Sequence, residues 1–230
     1  RQRVSSLIGQ EAVHSRVHNE WNEVLAQHRF PVAFYRYLAD KVFEYGFKQL
    51  PDRLQLSLMA GIEHFTAVLA QFMMQHEENL MAIKDEKQRA LWLWHMLEES
   101  EHKDIAYDVY QTLSGSYPLR IAGFIIAAVT IVVLVPFAGS LIPVIRKPSN
   151  VLSLTYWRDV KRSAGLLFGS RDGVYGSTIR HVLDYLRPDF HPNDHDTTAY
   201  LEYYKKRLLD PETGLLAPYF VREFVPPLRA

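Results

Sequence analysis

The sequence predicts an all-α protein: a helical bundle, then an uncharged apolar helical segment, then a C-terminal helical extension. Three observations carry this reading. Apolar residues recur every three or four positions through residues 4–113, with no convincing strand alternation. Residues 121–145 contain no charged side chain. The pattern Glu-x-x-His occurs in two separate helical stretches of a chain that has no cysteine.

The first helix is expected over residues 4–28, where Leu7, Val13, Val17, Trp21 and Val24 keep helical spacing. Phe30-Pro31 ends it, because the residue before proline resists helical dihedrals. A second, aromatic-rich helix follows over 32–50. Pro51-Asp52 suits the opening turn of a third, which runs to Leu80. Asp85 opens a fourth that continues to Leu113, where Ser-Gly-Ser-Tyr-Pro closes it. Short connectors imply an antiparallel bundle. Further helices are expected over 153–168, 174–186 and 198–209, then a Pro-rich tail whose Tyr219, Phe220 and Phe224 are expected to dock on a neighbouring surface. The predicted division is 1–117 for the bundle, 118–148 for the apolar segment and 149–230 for the extension. The chain opens already in helical periodicity and without Met, which predicts another helix upstream of Arg1.

The composition excludes several chemistries. A chain of 230 residues buries a sizeable core, and zero formal net charge offers no electrostatic case for nucleic acid. Without cysteine there are no disulfides, thiolate nucleophiles or iron–sulfur clusters. A metal here is held by histidine and carboxylate.

The stretch Leu91–Asp108 concentrates such groups among Trp, Leu and Met. On a helix with His95 at zero, Glu99 lies about 40° and His102 about 340° round, one narrow stripe. Glu98 falls at the stripe's edge, about 300° round, and Glu101 further off. Glu11 and His14 repeat the spacing on the first helix, and His18 extends it by a turn, as a ligand or as a partner to one. Paired Glu-x-x-His helices are the inward-facing signature of ferritin-like dinuclear carboxylate sites, which also take one Glu from each of two further helices. Glu63 supplies one, because an unpaired carboxylate among apolar neighbours is costly without a cation. Glu44 is a candidate for the other, as is a residue upstream of Arg1. His64 points about 100° away from Glu63. The loop residues His191, Asp194, His195 and Asp196 could form a second site, although such loops commonly serve as turns and caps.

The blocks "IGQEAVHSRVHNEWN", "GIEHFTAVLA" and "WHMLEESEHKDIAYDVY" resemble a bacterial family described as predicted metal-dependent hydrolases, ferritin-like in helical pattern. In that family a helix carrying a Glu precedes the "GQE" block, and no such helix is present here. The set Glu11, His14, Glu63, His95, Glu99 and His102 is also similar to the site of di-iron arylamine N-oxygenases. By that likeness His95 is an additional iron ligand.

Hard N/O donors suit iron or manganese. The main expectation is therefore a di-iron carboxylate oxygenase or hydroxylase with two Fe ions, Mn being the other candidate, and with Glu11, Glu63 and Glu99 as its central carboxylates. The alternatives are a metal-dependent hydrolase, or a non-catalytic metal-binding subunit. Oxygen chemistry is favoured by an apolar ligand environment assigned to Trp92, Trp94, Phe65, Phe72, Met73 and Met74. Thr66 is placed to assist proton handling, or simply to bond its own backbone.

As straight helix the stretch 121–145 would reach roughly 37 Å, against about 30 Å of bilayer hydrocarbon. It is read as a membrane span, or as two half-helices broken at Pro136, with a buried core helix of a larger assembly as the alternative; Arg120 and Arg146-Lys147 flank it. The expected partners are a membrane, a lipid-like or aromatic substrate and an electron-donor protein, with room for a homo-oligomer. The expected location is the cytoplasmic side of a bacterial inner membrane.

Overall fold

The computed structural model describes residues 2–170 and 172–219. Among these the architecture is entirely helical, as expected. Phe220 and Phe224 of the tail lie outside the described residues.

Helix α1 (Gln2–Gln27) ends where Arg29 takes φ 59°. There Phe30 N–H donates to Leu25 O and Arg29 N–H to Ala26 O, which ties off the last carbonyls before Pro31. Helix α2 (Val32–Tyr45) is shorter than the predicted 32–50. It stops at Gly46, where a Cβ would meet Val42 O at 2.6 Å, and a 3₁₀ turn over Phe47–Gln49 follows. The predicted third helix is divided at His76 into α3 (Asp52–Gln75) and α4 (Glu77–Met81). The fourth opens at Asp85, whose carboxylate accepts from Gln88 N–H at 2.8 Å, an N-cap as predicted. It too is divided, into α5 (Glu86–His102) and α6 (Ile105–Leu113). The ladder is interrupted at Lys103-Asp104, and both side chains there are engaged by the C-terminal region. Lys103 Nζ donates to Thr197 Oγ1 at 3.2 Å, and Asn193 Nδ2 donates to Asp104 at 2.9 Å.

Helix α3 is the axis of the core. Its Leu58, Phe65 and Val68 pack with Phe124, Tyr185 and Phe190, and its Ala70 and Met74 pack with Leu93, Met96 and Tyr204. It is apolar and long enough to cross a membrane, yet two thirds of that window is buried inside the protein.

The apolar segment is one helix through Tyr117–Arg146 rather than two broken halves. It comprises α7 (Tyr117–Ala128), a π-helical stretch Val129–Leu134 and α8 (Val135–Arg146). The wider π turn directly precedes Pro136, whose ring cannot donate to the preceding turn and crowds its carbonyl, so the ladder loosens there without breaking the helix. The two ends of this helix differ. In α7, Arg120, Gly123, Phe124 and Ala127 are buried. Arg120 is therefore not a flanking interfacial residue: it is 1% exposed, with its guanidinium between the rings of Tyr107, Tyr117 and Tyr185. In α8 no residue is buried, and only 17% of the most apolar window of the whole helix is.

Small residues bring α3 and α7 together. A Cβ at Gly123 would stand 2.2 Å from Ser57 Oγ and 2.5 Å from Ser57 C, and one at Gly61 would stand 3.1 Å from Ala127 Cβ. Ser57 Oγ donates across the contact to Leu119 O at 2.7 Å. The extension completes the fold with α9 (Leu154–Phe168), α10 (Val174–Asp184) and α11 (Thr198–Leu209). Helix α10 packs on α3, and α11 packs on α5.

The Gly123 contact is with backbone, which cannot yield, so Gly123→Leu should cost about 3 kcal/mol or more in chemical denaturation. Gly139→Ala meets nothing within 4 Å and should be neutral or stabilising.

Candidate metal centre

Helices α1 and α5 face each other through the two predicted stripes. His14 Nδ1 lies 3.6 Å from Glu11 Oε2, 3.5 Å from Glu98 Oε2 and 4.0 Å from Glu99 Oε1. Glu99 Oε1 is also 3.8 Å from His95 Nε2, and His102 Nδ1 is 3.1 Å from Glu11 Oε1. Donor atoms about 2.1 Å from a shared ion stand roughly 3.0–3.4 Å apart, so these separations are close to the edges of a coordination polyhedron. Two groups of donors emerge, each with ligand atoms within 4.8 Å of one another: His14, His18 and His95, and Glu11, Glu98 and His102. Glu63 enters from α3, 6% exposed, and its charge couples to Glu99, Glu11, His102 and Glu98.

The electrostatics are those of carboxylates without enough cations. Burial, reinforced by Glu99 and Glu11, pushes the Glu63 carboxyl up to about 8. Burial likewise raises Glu98 to about 7 and raises Glu99. Burial and the neighbouring His14 and His18 push His95 down to about 4. Glu11 is held below its ordinary value by its hydrogen bond to His102. Burial opposes charge on His102, yet Glu11 and the other carboxylates keep its pKa raised. Several buried atoms have no hydrogen-bond partner: Glu63 Oε2, both oxygens of Glu98, His14 Nδ1, His18 Nε2 and His95 Nδ1. Orphaned oxygens and ring nitrogens converging from three helices fit a site for cations, which would offset the cost of their desolvation.

Around the ligands stand three tryptophans. Trp94 lies edge-on to His14, Trp21 to His18 and Trp92 to His95, with ring centroids 5.4–6.3 Å apart. Trp21 is a wall that the sequence reading had not assigned. Phe65, Phe72 and Met74, assigned to that environment from sequence, are buried instead: Phe65 and Met74 in the hydrophobic clusters, Phe72 against His76. Met73 is partly buried and packs on the second of those clusters.

Two contributors escaped the sequence reading. Glu98 was placed at the stripe's edge, but α1 crosses on that side and brings Glu11 to it. Gln10 carries no signal in the sequence. His102 Nε2 lies 3.1 Å from Gln10 Oε1, and Gln10 Nε2 donates to Glu101 at 3.3 Å. Glu101 in turn pairs with Lys205 of α11. The order of donors orients His102. Glu101 only accepts, so the Gln10 amide turns its oxygen to His102, whose Nε2 donates to it. Its Nδ1 faces Glu11 Oε1 and is the atom a metal would take, in place of any proton held there.

Other candidates lie elsewhere. Glu44 is exposed and pairs with Lys48 at 3.0 Å, which removes it as a fourth carboxylate. His64 is a core histidine: its Nε2 bonds Val182 O at 3.2 Å, and burial pushes its pKa to about 4. The loop residues serve as caps and ion pairs: His191 and Asp194 form a capping box, with His191 also paired to Asp108 and Asp194 to Arg187, His195 pairs with Asp184, and Asp196 accepts from Thr198 N–H. They do not form a second cluster. Thr66 Oγ1 donates to Glu63 O at 3.2 Å and also lies against the Glu99 carboxylate.

A family model described as predicted metal-dependent hydrolase matches residues 1–196. The chain belongs to that family. The match includes every member of the two donor groups, Glu63 and Gln10, and extends through α10 into the loop before α11. No curated protein and no solved structure matches the chain. For this metal-dependent hydrolase family member, the geometry above therefore carries the assignment of residues.

The Glu63 carboxyl has a folded pKa of about 8 against an ordinary 4.5, so the folded state holds its proton more tightly than the unfolded chain does. Its penalty is absent below the ordinary value, grows as pH rises through that window and is complete above about pH 8. Glu63→Gln should therefore raise the Tm of chelator-treated protein by about 5 °C or more at alkaline pH, with the gap closing toward acid. Added Zn(II) or Mn(II) should reverse the order, because the wild type alone gains a ligand.

Proposed function

We propose that this protein is a metal-dependent hydrolase whose site lies between α1, α3 and α5. The observation that carries this reading is the convergence of orphaned buried donors from three helices in a member of that family. Glu11, Glu98 and His102 would hold one cation, and His14, His18 and His95 a second, with Glu99 between the groups. When bound, such cations supply Lewis acidity, which makes water nucleophilic near neutral pH and polarises an acyl or phosphoryl oxygen.

The chain's own residues do the rest. Gln10, held by Glu101 and Lys205, accepts from His102 Nε2 and so turns Nδ1 toward the site. Glu63 enters from α3 beside Glu99, Glu11 and His102, where its carboxylate would complete the coordination of a bound cation. Trp21, Trp92 and Trp94 exclude bulk water and favour an apolar substrate. The bond cleaved is an ester, amide or phosphoester of a hydrophobic molecule.

A second reading is a di-iron oxygenase or hydroxylase that draws electrons from a donor protein. It is favoured by one feature: three tryptophans stand edge-on to His14, His18 and His95, an apolar wall suited to an uncharged C–H or amine substrate.

The full-length protein loaded with Mn(II) or Zn(II) should hydrolyse p-nitrophenyl esters or phosphoesters of long-chain groups without oxygen. Activity that appears only with Fe(II), a reductant and O2 would assign it to the second reading. Glu99→Ala should abolish metal loading in elemental analysis, whereas His181→Ala, on the far side of α3, should leave it unchanged. Gln10→Leu should weaken metal affinity by roughly 10–100-fold in chelator competition, while Gln10→Asn restores part of it.

A further inference from the structure

Helices α8 and α9 form an antiparallel hairpin. Tyr156 OH donates to Ser140 O at 3.2 Å, and Leu167-Phe168 share a groove of about 760 Å³ with Val132-Val133 at the opposite end. The turn between them is ordered by its own bonds. Asn150 Nδ2 donates to Pro143 O at 2.8 Å, and Trp157 Nε1 donates to Val151 O at 2.9 Å. This well-held turn nevertheless leaves its apolar side chains bare: Leu152 is 86% exposed, Leu154 88% and Trp157 54%.

The same tip is strongly basic. Residues 146–162 carry Arg146, Lys147, Arg158, Lys161 and Arg162 against the single acid Asp159, a net charge of +4 in a chain whose formal total is zero. Behind the tip, Val133 of the π-helical stretch and Val135 and Phe137 of α8 are exposed, and α2 leans on α8 through Tyr35 OH to Ala138 O.

Bare leucines and a tryptophan ringed by cations match the boundary of a bilayer, where apolar groups enter the acyl layer and Lys and Arg reach the headgroups. A second copy of the chain fits poorly, since a two-fold contact would place this charge against itself. Nucleic acid would have no use for the leucines. We propose that the α8–α9 hairpin tip docks the protein on a lipid bilayer containing anionic lipids, inserting Leu152, Leu154 and Trp157 into the near leaflet. This docking is independent of which metal the site holds.

The test is flotation of the full chain with phosphatidylcholine vesicles, with and without phosphatidylglycerol, at low and high salt. Binding should require the anionic lipid and weaken with salt. Each basic residue near such a surface contributes roughly fivefold, so the combined Arg158→Glu, Lys161→Glu and Arg162→Glu variant should lose on the order of a hundredfold in partitioning or more. Leu152→Ser with Leu154→Ser should also weaken binding, with helicity unchanged by circular dichroism. Absence of binding, equal binding to both vesicle types, or equal binding by the charge-reversed variant would overturn the proposal. So would a dimer in solution dispersed by Leu152→Ser, which would assign the tip to a second copy.

Discussion

Uncompensated desolvation at the α1–α5 seam is the constraint on which the rest depends. Carboxylates and imidazoles from these helices, with Glu63 from α3, are withdrawn from water without a full set of partners. A folded protein tolerates this only where an occupant returns the lost interaction energy. Part of that compensation comes from protonation, since burial shifts the Glu63 and Glu98 carboxyls up toward neutrality, while the carboxylates around His102 raise its pKa. A cation would displace those protons, so metal binding and proton release are linked at this site.

Helix α3 makes that withdrawal possible. It is packed on nearly all sides, by α5, α6, α7 and α10, so a carboxylate at position 63 has nowhere to reach solvent. Close approach of α7, allowed by Gly61 and Gly123, closes one side, and the cluster of Phe65, Phe124, Tyr185 and Phe190 closes another. The C-terminal extension takes part too. Lys205 of α11 anchors Glu101, which orients Gln10 and thereby His102.

The long apolar helix divides its work between two environments. Its first half is core, with even Arg120 buried among tyrosines; its second half emerges and turns into the basic hairpin. Helix α2 joins the two functional regions, since it follows α1, which carries Glu11, His14 and His18, and rests on α8 through Tyr35.

The sequence alone determined the helical character of the chain and the stripes, though not the breaks at His76 and Lys103-Asp104. Spacing of three and four residues places Glu11, His14 and His18 on one face and His95, Glu99 and His102 on another whatever the fold around them, because helical geometry is local. The lone Glu63 among apolar neighbours was legible for the same reason. What depends on how helices cross was not. Glu98 became a ligand candidate because α1 passes on its side of α5, Gln10 because its amide lands between His102 and Glu101, and Glu44 dropped out because α2 turns it to solvent. Only the tertiary structure decided that half of the apolar segment is core. Composition records how apolar a helix is, while burial depends on which other helices come within reach of it.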